Sequence, residues 1–448
     1  MNIIIAGAHA IGTHLARLLT RLNHEVKLVD QDQGRLNSLG TDYDLLTYCG
    51  SPSSVATLEI LKVKSADLFI AVTLDEDMNM NACYMAKYMG AKKCVAKVNH
   101  YEFADPKHQE MFKRLGIDSV ICPEYLAGKQ IASGLRLSWV RQRLDFEDSD
   151  LVMLGIKLRE EAEILDTPLK DLCDPTTPYH VVAIKRGGET IIPGGLDSLK
   201  KMDMAYFMTT KQYIPYMRKI VGKEHYVDVQ KVMFLGAGDT AYRALEALPS
   251  YLKPTVFETN KDRIDEVLAG LNRTHLTMVN ADGSDISNLH EEGLMSTHAF
   301  VACTGNAETN ILACLTAKKF GVRKTVAVIE NEEYANMAAS LDIGTIVNKK
   351  ALAASNIYQL MLDNNDVASL RYLMTANADV AEFIVNEGAK VTKKPVYSLG
   401  LPKGCTIGGL VRNGQGELVT GHTQIQAGDR VIVFCHNLKV EKVENLFC

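Results

Sequence analysis

Short apolar runs alternate with helical patterns along the first part of the chain. After the first run, apolar side chains recur at the spacing that places them on one face of a helix. These positions are Ile11, Leu15, Leu18, Leu19 and Leu22. The runs are NIIIA, EVKLV, DLLTY, LFIAV, CVAKV and SVIC. Strands that alternate with amphipathic helices predict parallel βαβ units and a Rossmann-like, doubly wound parallel sheet.

The chain repeats itself at an offset of about 230 residues, which indicates a duplicated unit of about half its length. NIIIAGAHAIGTHLARLL parallels KVMFLGAGDTAYRALEAL, and ADLFIAVTLDEDMNMNACYMAKYMGAKKCVAKV parallels THAFVACTGNAETNILACLTAKKFGVRKTVAVI. The matched pairs include Thr73 and Thr304, Asn79 and Asn310, Cys83 and Cys314, and Gly90 and Gly321. The second copy repeats the helical stripe with Ala241, Ala244, Leu245 and Leu248.

Residues 150–210 and 379–436 have a different pattern, with short strand-like runs broken by Gly, Pro and Asp. These are hairpin signals, so we expect a small β-rich α+β module after each parallel sheet. The segments between the parts, 125–146 and 351–373, are helical in pattern. Each would pack either on its own sheet or across to a partner subunit, and the pattern does not separate the two placements.

This organisation predicts six intervals along the chain. The first half comprises a Rossmann-like module at 1–125, a linking helix at 126–148 and a β-rich module at 149–222. The second half comprises a Rossmann-like module at 228–350, a linking helix at 351–375 and a β-rich module at 376–448. The fold class is therefore α/β, with two parallel sheets that are each followed by a smaller module.

The loop after the first strand carries the glycine pattern of a dinucleotide-binding turn. Gly7 and Gly12 hold the first and third glycine positions, whereas His9 stands at the middle one. Free N–H groups and the helix dipole favour an anion at such a turn. His9 either obstructs a diphosphate, hydrogen-bonds to it when protonated, or reflects drift. Asp30 ends the second strand, where an acid accepts ribose hydroxyls, which favours NAD or an adenine nucleotide over NADP.

The second copy has the equivalent loop with different substitutions. Gly236 and Gly238 keep the first two glycine positions, and Glu258 stands at the ribose position. Asp239 puts a carboxylate beside the anion site, where it would repel phosphate. Lys97 of the first copy corresponds to Val328, so the second copy lacks that cation. We therefore expect two unequal sites.

Composition and charge argue against several classes of function. The 448 residues are 47% hydrophobic and 23% charged, with a net charge of −5, which is typical of a globular protein. Without a basic domain or a Lys/Arg-rich run, the chain gives no electrostatic reason to expect DNA or RNA as its main partner. The ten cysteines form no C-x-x-C pair, so we expect reduced thiols and no zinc or redox motif. No stretch approaches the ~18–20 apolar residues of a membrane span.

The histidines and small β-rich modules give no recognisable catalytic or metal-binding constellation, so neither kind of site is predicted. A duplicated nucleotide module without a separate catalytic domain is typical of a sensor. Two alternatives remain open at this point. One is an NAD-dependent oxidoreductase, and the other is an assembly scaffold with inactive nucleotide sites.

Two stretches carry a resemblance to a known family. ADLFIAVTLDEDMNMNACYMAKYMGAKKCVAKVN resembles the block that follows the third strand of RCK (also called KTN) units. LPKGCTIGGLVRNGQGELVTGHTQIQAGDRVIVF, with its Gly428-Asp429-Arg430 turn, resembles the C-terminal RCK module. On these motifs, nearly the whole chain resembles the tandem-RCK regulatory subunits of Trk bacterial potassium-uptake systems.

This resemblance implies a non-enzymatic, cytoplasmic subunit at the inner face of the membrane. Its partners would be a membrane potassium-transporter subunit of the TrkH/TrkG type and copies of itself, commonly in a tetrameric ring. The ligands would be NAD(H) and ATP or ADP, and binding would switch transport by rearranging the ring. By position, the first nucleotide site would comprise Gly7, His9, Gly12, Asp30, Thr73 and Lys97. The second would comprise Gly236, Gly238, Glu258, Asp282 and Thr304.

Overall fold

The computed structural model contains two parallel and two antiparallel sheets. It describes residues 1–21, 24–37, 39, 45–146, 148–174, 176–361, 367–373, 378–436, 443, 446 and 447. These residues belong to two compact units. One comprises residues 1–129 and 348–361, and the other comprises residues 130–347 and 362–448.

The first half contains a Rossmann-like module and a β-rich module. The elements of the former are β1 (Asn2–Ala6), α1 (Ala10–Arg21), β2 (Glu25–Asp30), α2 (Gln33–Asn37), β3 (Leu46–Cys49), α3 (Val55–Ile60), β4 (Leu68–Ala71), α4 (Glu76–Tyr88), β5 (Lys93–Lys97), α5 (Tyr101–Ala104), α6 (Gln109–Arg114), β6 (Ser119–Ile121) and α7 (Pro123–Gly134). The β-rich module follows with β7 (Gln142–Asp145), β8 (Leu151–Lys157), α8 (Leu169–Leu172), β9 (Tyr179–Arg186), β10 (Glu189–Ile191), β11 (Met204–Thr210) and α9 (Ile214–Ile220).

The second half repeats this series. Its Rossmann-like elements are β12 (Lys231–Leu235), α10 (Asp239–Ala247), β13 (Lys253–Glu258), α11 (Lys261–Gly270), β14 (Thr277–Asn280), α12 (Ile286–Glu291), β15 (Ala299–Ala302), α13 (Ala307–Lys319), β16 (Lys324–Val328), α14 (Glu332–Ser340), β17 (Thr345–Val347) and α15 (Lys349–Met361). The β-rich strands are β18 (Val367–Leu373), β19 (Ala378–Ile384), β20 (Cys405–Arg412), β21 (Gln415–Leu418) and β22 (Arg430–His436).

The two six-stranded sheets are parallel throughout and have the same topology. Their strand orders are β3-β2-β1-β4-β5-β6 and β14-β13-β12-β15-β16-β17. This confirms the predicted pair of doubly wound sheets. The order reverses between β1 and β4, and between β12 and β15, which is where open α/β sheets form their binding crevices.

The predicted helical stripe faces the core. Leu15 and Leu19 of α1 are fully buried. Ile11 and Leu18 are partly buried, and Leu22 lies outside the described residues. In the second copy, all four predicted positions are buried, namely Ala241, Ala244, Leu245 and Leu248. Side chains at i, i+3 and i+4 share one helix face, so this spacing was a reliable signal.

The β-rich modules are antiparallel five-stranded sheets built on the predicted hairpins. Gly187 and Gly188 join β9 to β10 with φ of 56° and 96°. Asn413 and Gly414 join β20 to β21 with φ of 53° and 78°. Two-residue hairpin turns need positive φ at both positions, which glycine and asparagine adopt most readily.

Each β-rich module contains the same ion pair between an arginine and a buried aspartate. Asp429 accepts two hydrogen bonds from the Arg412 guanidinium, at 2.8 and 2.6 Å. In the first copy, Arg186 donates to Asp203 in the same way, at 2.9 and 2.7 Å. Both aspartates are at most 2% exposed. A bidentate pair of this kind fixes geometry as well as charge, and it gives the aspartate of the Gly428-Asp429-Arg430 turn a structural role.

The two β-rich sheets pack against each other, which the sequence did not predict. Their shared core contains residues from both copies, among them Leu151, Met153, Val182, Tyr206, Val380, Ile432 and Phe434. A Cβ on Gly408 would lie 2.7 Å from the Phe434 ring and 2.9 Å from the Val182 side chain. This glycine therefore permits the close approach of β20 to β9.

The two predicted linking helices need correction. The interval 126–148 is helical only as far as Gly134, and Gln142–Asp145 forms β7, paired with β8. Of the interval 351–375, the described residues are helical up to Met361, and Val367–Leu373 forms β18, paired with β19. Neighbouring strands that offer free backbone groups outweigh a local helical pattern, because propensity is a weak preference.

The placement of α15 differs from packing on the sheet of its own module. It follows the second parallel sheet in sequence, yet it packs on α1 and β6 of the first module. Lys93 Nζ donates to the carbonyl oxygen of Leu360 at 3.4 Å, and Lys349 pairs with Glu124 at 3.5 Å. Among the described residues, no helix has the length and apolar character needed to cross a membrane.

One buried cation gives a testable pH dependence. Lys324 is 1% exposed, and its Nζ donates to the Val140 carbonyl oxygen and, at 3.2 Å, to Thr345 Oγ1. Burial, followed by the nearby charge of Arg141, lowers the pKa of Lys324 to about 7. The unfolded chain therefore binds more protons than the folded chain between pH 7 and the ordinary lysine pKa of about 10.4, so stability rises with pH across that window.

We predict that wild type gains stability relative to Lys324→Met as pH rises from 7 to 10, by up to about 1.4 kcal/mol per pH unit. Chemical denaturation at several pH values measures the difference between the two proteins. Lys319→Met, at an exposed position of the same module, is the matched control. A wild-type to Lys324→Met difference that stays constant from pH 7 to 10 would contradict the prediction.

Candidate functional site

The first glycine loop is held close to the neighbouring strand. Gly7 has a φ of +112°, and its N–H donates to the carbonyl oxygen of Val29 at 2.8 Å. A Cβ on Gly7 would lie 2.8 Å from the Thr73 nitrogen, and one on Gly12 would lie 1.8 Å from the Gly7 carbonyl oxygen. Any side chain at either position collides with backbone, so both glycines are required by the turn and by helix packing.

Asp30 lies at the end of β2 and is 5% exposed. Its Oδ2 accepts the Ala8 N–H at 2.6 Å, and its Oδ1 accepts the Asp32 N–H at 2.9 Å. Arg35 Nη1 lies 3.0 and 3.1 Å from the two oxygens. A carboxylate offers about four acceptor positions, and all are engaged here. A ribose hydroxyl must therefore displace Arg35, whose side chain is 38% exposed.

His9 is part of the same cluster. Its Nε2 lies 2.6 Å from Arg35 Nη1. Because guanidinium only donates hydrogen bonds, this nitrogen must accept, and the imidazole is neutral. Burial, and then the charge of Arg35, lower the pKa of His9. This environment opposes the protonated form that was considered as a diphosphate ligand.

These side chains surround a small cleft beside the first glycine loop. The cleft measures about 180 Å³, and its lining includes His9, Asp30, Arg35, Pro52, Thr73 and Asp75. Small-molecule pockets usually measure ~300–1,000 Å³. The structure thus brings Gly7, His9, Asp30 and Thr73 together, and the side chain of Arg35 takes up part of the space between them.

The threonine at the end of the switch-point strand is fixed by a buried asparagine in both halves. Asn79 Oδ1 accepts the Thr73 N–H at 2.8 Å and its hydroxyl at 2.7 Å, while Asn310 does the same for Thr304 at 3.0 and 2.7 Å. Asn79 Nδ2 also donates to the Lys97 carbonyl oxygen at 2.9 Å. These asparagines bridge two strand ends, a role that their fixed position in the repeat could have signalled.

Lys97 lies next to Thr73 but its side chain has its own partner. Its Nζ donates to Asn99 Oδ1 at 2.7 Å and lies 3.5 Å from the Thr73 carbonyl oxygen. Burial lowers the pKa of Lys97. The ammonium of Lys97 is therefore adjacent to the crevice, and it is hydrogen-bonded to the segment that follows β5.

The second glycine loop keeps the acid-to-loop contact and is more open. Glu258 Oε2 accepts the Ala237 N–H at 3.0 Å, and its Oε1 accepts the Asn260 N–H at 2.9 Å. Burial acts to raise the pKa of Glu258, but these N–H donors outweigh it and lower the pKa. Gly236 has a φ of +93°, and a Cβ on Gly238 would meet no atom within 4 Å.

Arg263 occupies the position of Arg35 in the repeat, five residues after the acid, but it has different partners. Its Nε donates to the Ala237 carbonyl oxygen and its Nη2 to Asp239 Oδ1, both at 2.8 Å. The carboxylate of Asp239, predicted to repel phosphate, is therefore paired with a cation. Sequence reasoning missed both arginines, although their equal spacing from Asp30 and Glu258 was visible.

Asp282 lies in the exposed loop after β14. Its Oδ1 accepts the Ser284 N–H at 2.8 Å and the Ser284 hydroxyl at 2.7 Å, and these bonds lower its pKa. Its carbonyl oxygen accepts from Asn288 Nδ2 at 2.8 Å. These contacts shape its own loop.

One glycine in each loop is expected to respond differently to substitution by alanine. Gly12→Ala forces Cβ onto the Gly7 carbonyl oxygen and should cost about 1–3 kcal/mol of folding free energy. Gly238→Ala places Cβ in open space and should cost no more than about 0.5–1 kcal/mol, for the loss of a glycine N-cap on α10. Thermal denaturation of the full chain compares the two, and equal losses would contradict the assigned loop geometry.

Comparison with known proteins agrees with the duplicated fold. The TrkA-N domain family model matches residues 3–123 and 232–349, and the TrkA-C domain model matches residues 380–447. A Trk system potassium uptake protein TrkA from Azorhizobium caulinodans is 27% identical over 455 residues, covering 100% of this chain and 98% of the relative.

Solved structures resemble the chain over its whole length. The GsuK RCK domain has a TM-score of 0.63 at 16% identity and covers 99% of this chain and 93% of its own. The GsuK channel bound to NAD has a TM-score of 0.62 at 17% identity and covers 100% and 78%. These likenesses concern the fold. Because its two TrkA-N matches together span more than half of the 448 residues, the chain belongs to the TrkA-N domain family.

Proposed function

We propose that this protein is the cytoplasmic, nucleotide-binding regulatory subunit of a Trk-type potassium-uptake system. In this role it catalyses no reaction. It binds NAD(H), ATP or ADP at the two glycine loops, and it acts at the inner membrane face on a transporter subunit of the TrkH/TrkG type. It works as a homo-oligomer, with a tetramer as the expected assembly. The full-length relation to a Trk uptake protein supports the proposal.

The contact between acid and glycine loop is the observation that carries the proposal. Asp30 binds the Ala8 N–H, and Glu258 binds the Ala237 N–H, at the carboxyl ends of the strands next to the switch point of each parallel sheet. Each acid is thereby held beside the loop whose helix follows, so a ribose on the acid would bring its phosphates to the helix N-terminus. The site residues that we assign remain Gly7, His9, Gly12, Asp30, Thr73 and Lys97, with Gly236, Gly238, Glu258, Asp282 and Thr304.

The two sites are unequal in a way that suits a sensor. In the first, Arg35 of α2 saturates Asp30, so a nucleotide that binds this acid has to move the arginine. In the second, Arg263 is bound to Asp239 and leaves Glu258 accessible. A nucleotide shifts a conformational equilibrium only through a difference in affinity for its states. A ~100-fold difference supplies roughly 2.7 kcal/mol per site.

We predict opposite effects for two matched substitutions. Arg35→Ala frees Asp30 and should raise the ADP affinity of the first site several-fold. Arg263→Ala leaves Asp239 unpaired beside the phosphate position and should lower the affinity of the second site several-fold. Calorimetry on the full chain measures the first site in a Glu258→Ala background and the second in an Asp30→Ala background. Weaker binding after Arg35→Ala would mean that Arg35 binds the ligand instead of blocking it.

A transport assay tests the function itself. When the chain is co-purified with the membrane transporter subunit and reconstituted, rubidium flux should change on addition of ATP, ADP or NADH. Asp30→Ala with Glu258→Ala should abolish the response. The exposed acids Glu59 and Asp265 serve as a matched double alanine control.

Two outcomes would overturn the proposal. Flux that depends on the chain but not on nucleotide would identify an assembly scaffold with inactive sites. Turnover of NADH with small carbonyl compounds, lost in Asp30→Arg, would identify an oxidoreductase.

A further inference from the structure

A large cavity lies within the second compact unit, and its lining includes no residue of either glycine loop. It measures about 690 Å³, in the range typical of small-molecule sites. Strands and turns of the first β-rich module form one side, and the segment before and within β17 forms the other. The lining includes Arg141, Lys157, Lys185, Asp342 and Thr345, and we call it the basic cavity.

The basic cavity has more cations than anions. Its carboxylate, Asp342, is shared by three cations: Arg141 at 3.1 Å, Lys318 at 3.4 Å, and Arg159. Lys157 and Lys185 are partly buried, and the side-chain ammonium of neither makes a hydrogen bond or ion pair within the described part of the chain. Charged groups withdrawn from water are normally paired, so an excess of this kind indicates a missing anion.

The electrostatic environment agrees with this imbalance. Burial lowers the pKa of Lys157 and of Lys185. Behind the wall, the buried Lys324 donates to the hydroxyl of Thr345, which itself lines the cavity. An anion in the cavity would stabilise all three ammonium groups, because an opposite charge nearby favours the protonated form.

The rest of the lining suits an organic molecule better than a bare ion. Met202, Met204 and Ile346 supply an apolar wall. Gln130 and Gln142 also line the cavity, and the buried Oε1 of each has no hydrogen-bond partner among the described residues. Ligand sites commonly combine an apolar surface with a few polar groups that fix orientation.

We propose that the basic cavity binds a small phosphate-bearing organic anion, with Lys157 and Lys185 on the phosphate and the methionine wall against the organic part. Lysine suits phosphate as a mobile point charge. The two amines lie on β8 and β9 of the first β-rich module, whereas Asp342 and Thr345 belong to the second Rossmann-like module. A bound anion would therefore bridge the two modules at a site separate from both glycine loops.

Calorimetry with inorganic pyrophosphate, the minimal probe of the phosphate subsite, tests this assignment on the full chain. Wild type should bind it, and Lys157→Gln with Lys185→Gln should weaken that binding at least tenfold. Lys170→Gln with Lys219→Gln makes the same charge change at exposed positions of the same module and should leave binding unchanged. Absent binding to wild type, or equal binding to both double variants, would overturn the proposal.

Stability without ligand provides the second readout. Removing two uncompensated charges should leave the melting temperature of the unliganded protein unchanged or higher. A lower melting temperature for Lys157→Gln with Lys185→Gln than for the control pair would show that these lysines stabilise the fold, and it would overturn a ligand-binding role. The two glycine loops are intact in all these variants, so the outcome is independent of the proposed nucleotide sensing.

Discussion

A hydrogen bond from a loop N–H to a strand-end carboxylate organises both halves of this molecule. Asp30 Oδ2 accepts the Ala8 N–H at 2.6 Å, and Glu258 Oε2 accepts the Ala237 N–H at 3.0 Å. The bond closes the gap between the first two strands of each sheet just beyond their last paired residues. It sets the direction of the glycine turn and keeps an acid at the crevice, so the same contact serves the fold and the candidate binding site.

The halves diverge around that shared contact, and the divergence follows from two loop residues. The first loop has His9, which offers an imidazole acceptor, and Arg35 binds it together with Asp30. The second loop has Gly238 followed by Asp239, and Arg263 turns to the new carboxylate. A guanidinium only donates hydrogen bonds, so its position depends on the acceptors within its reach. Changes at two adjacent positions therefore decide whether the ribose-binding acid is covered or accessible.

Much of the fold could be read from local pattern. Apolar runs located the parallel strands, the i, i+3, i+4 spacing located the buried face of α1, and strand-like runs broken by Gly, Pro and Asp located the β-rich modules. Strands β7 and β18 were missed because their pairing partners, not their own periodicity, decide their conformation. The packing of α15 and the contact between the β-rich sheets depend on surfaces far apart in sequence, which periodicity does not reveal.

The candidate site could be predicted in outline only. Glycine spacing and the acids indicated the crevices. The partners of Arg35 and Arg263 could not be predicted, because the partner of a side chain depends on which acceptor it reaches. The central claim is that both crevices hold a ribose-bearing anion on Asp30 and Glu258. Titration calorimetry of the full chain with ADP and NADH tests it most directly. The account predicts binding to wild type that falls at least tenfold when both acids are replaced by alanine, and absent or unchanged binding would contradict it.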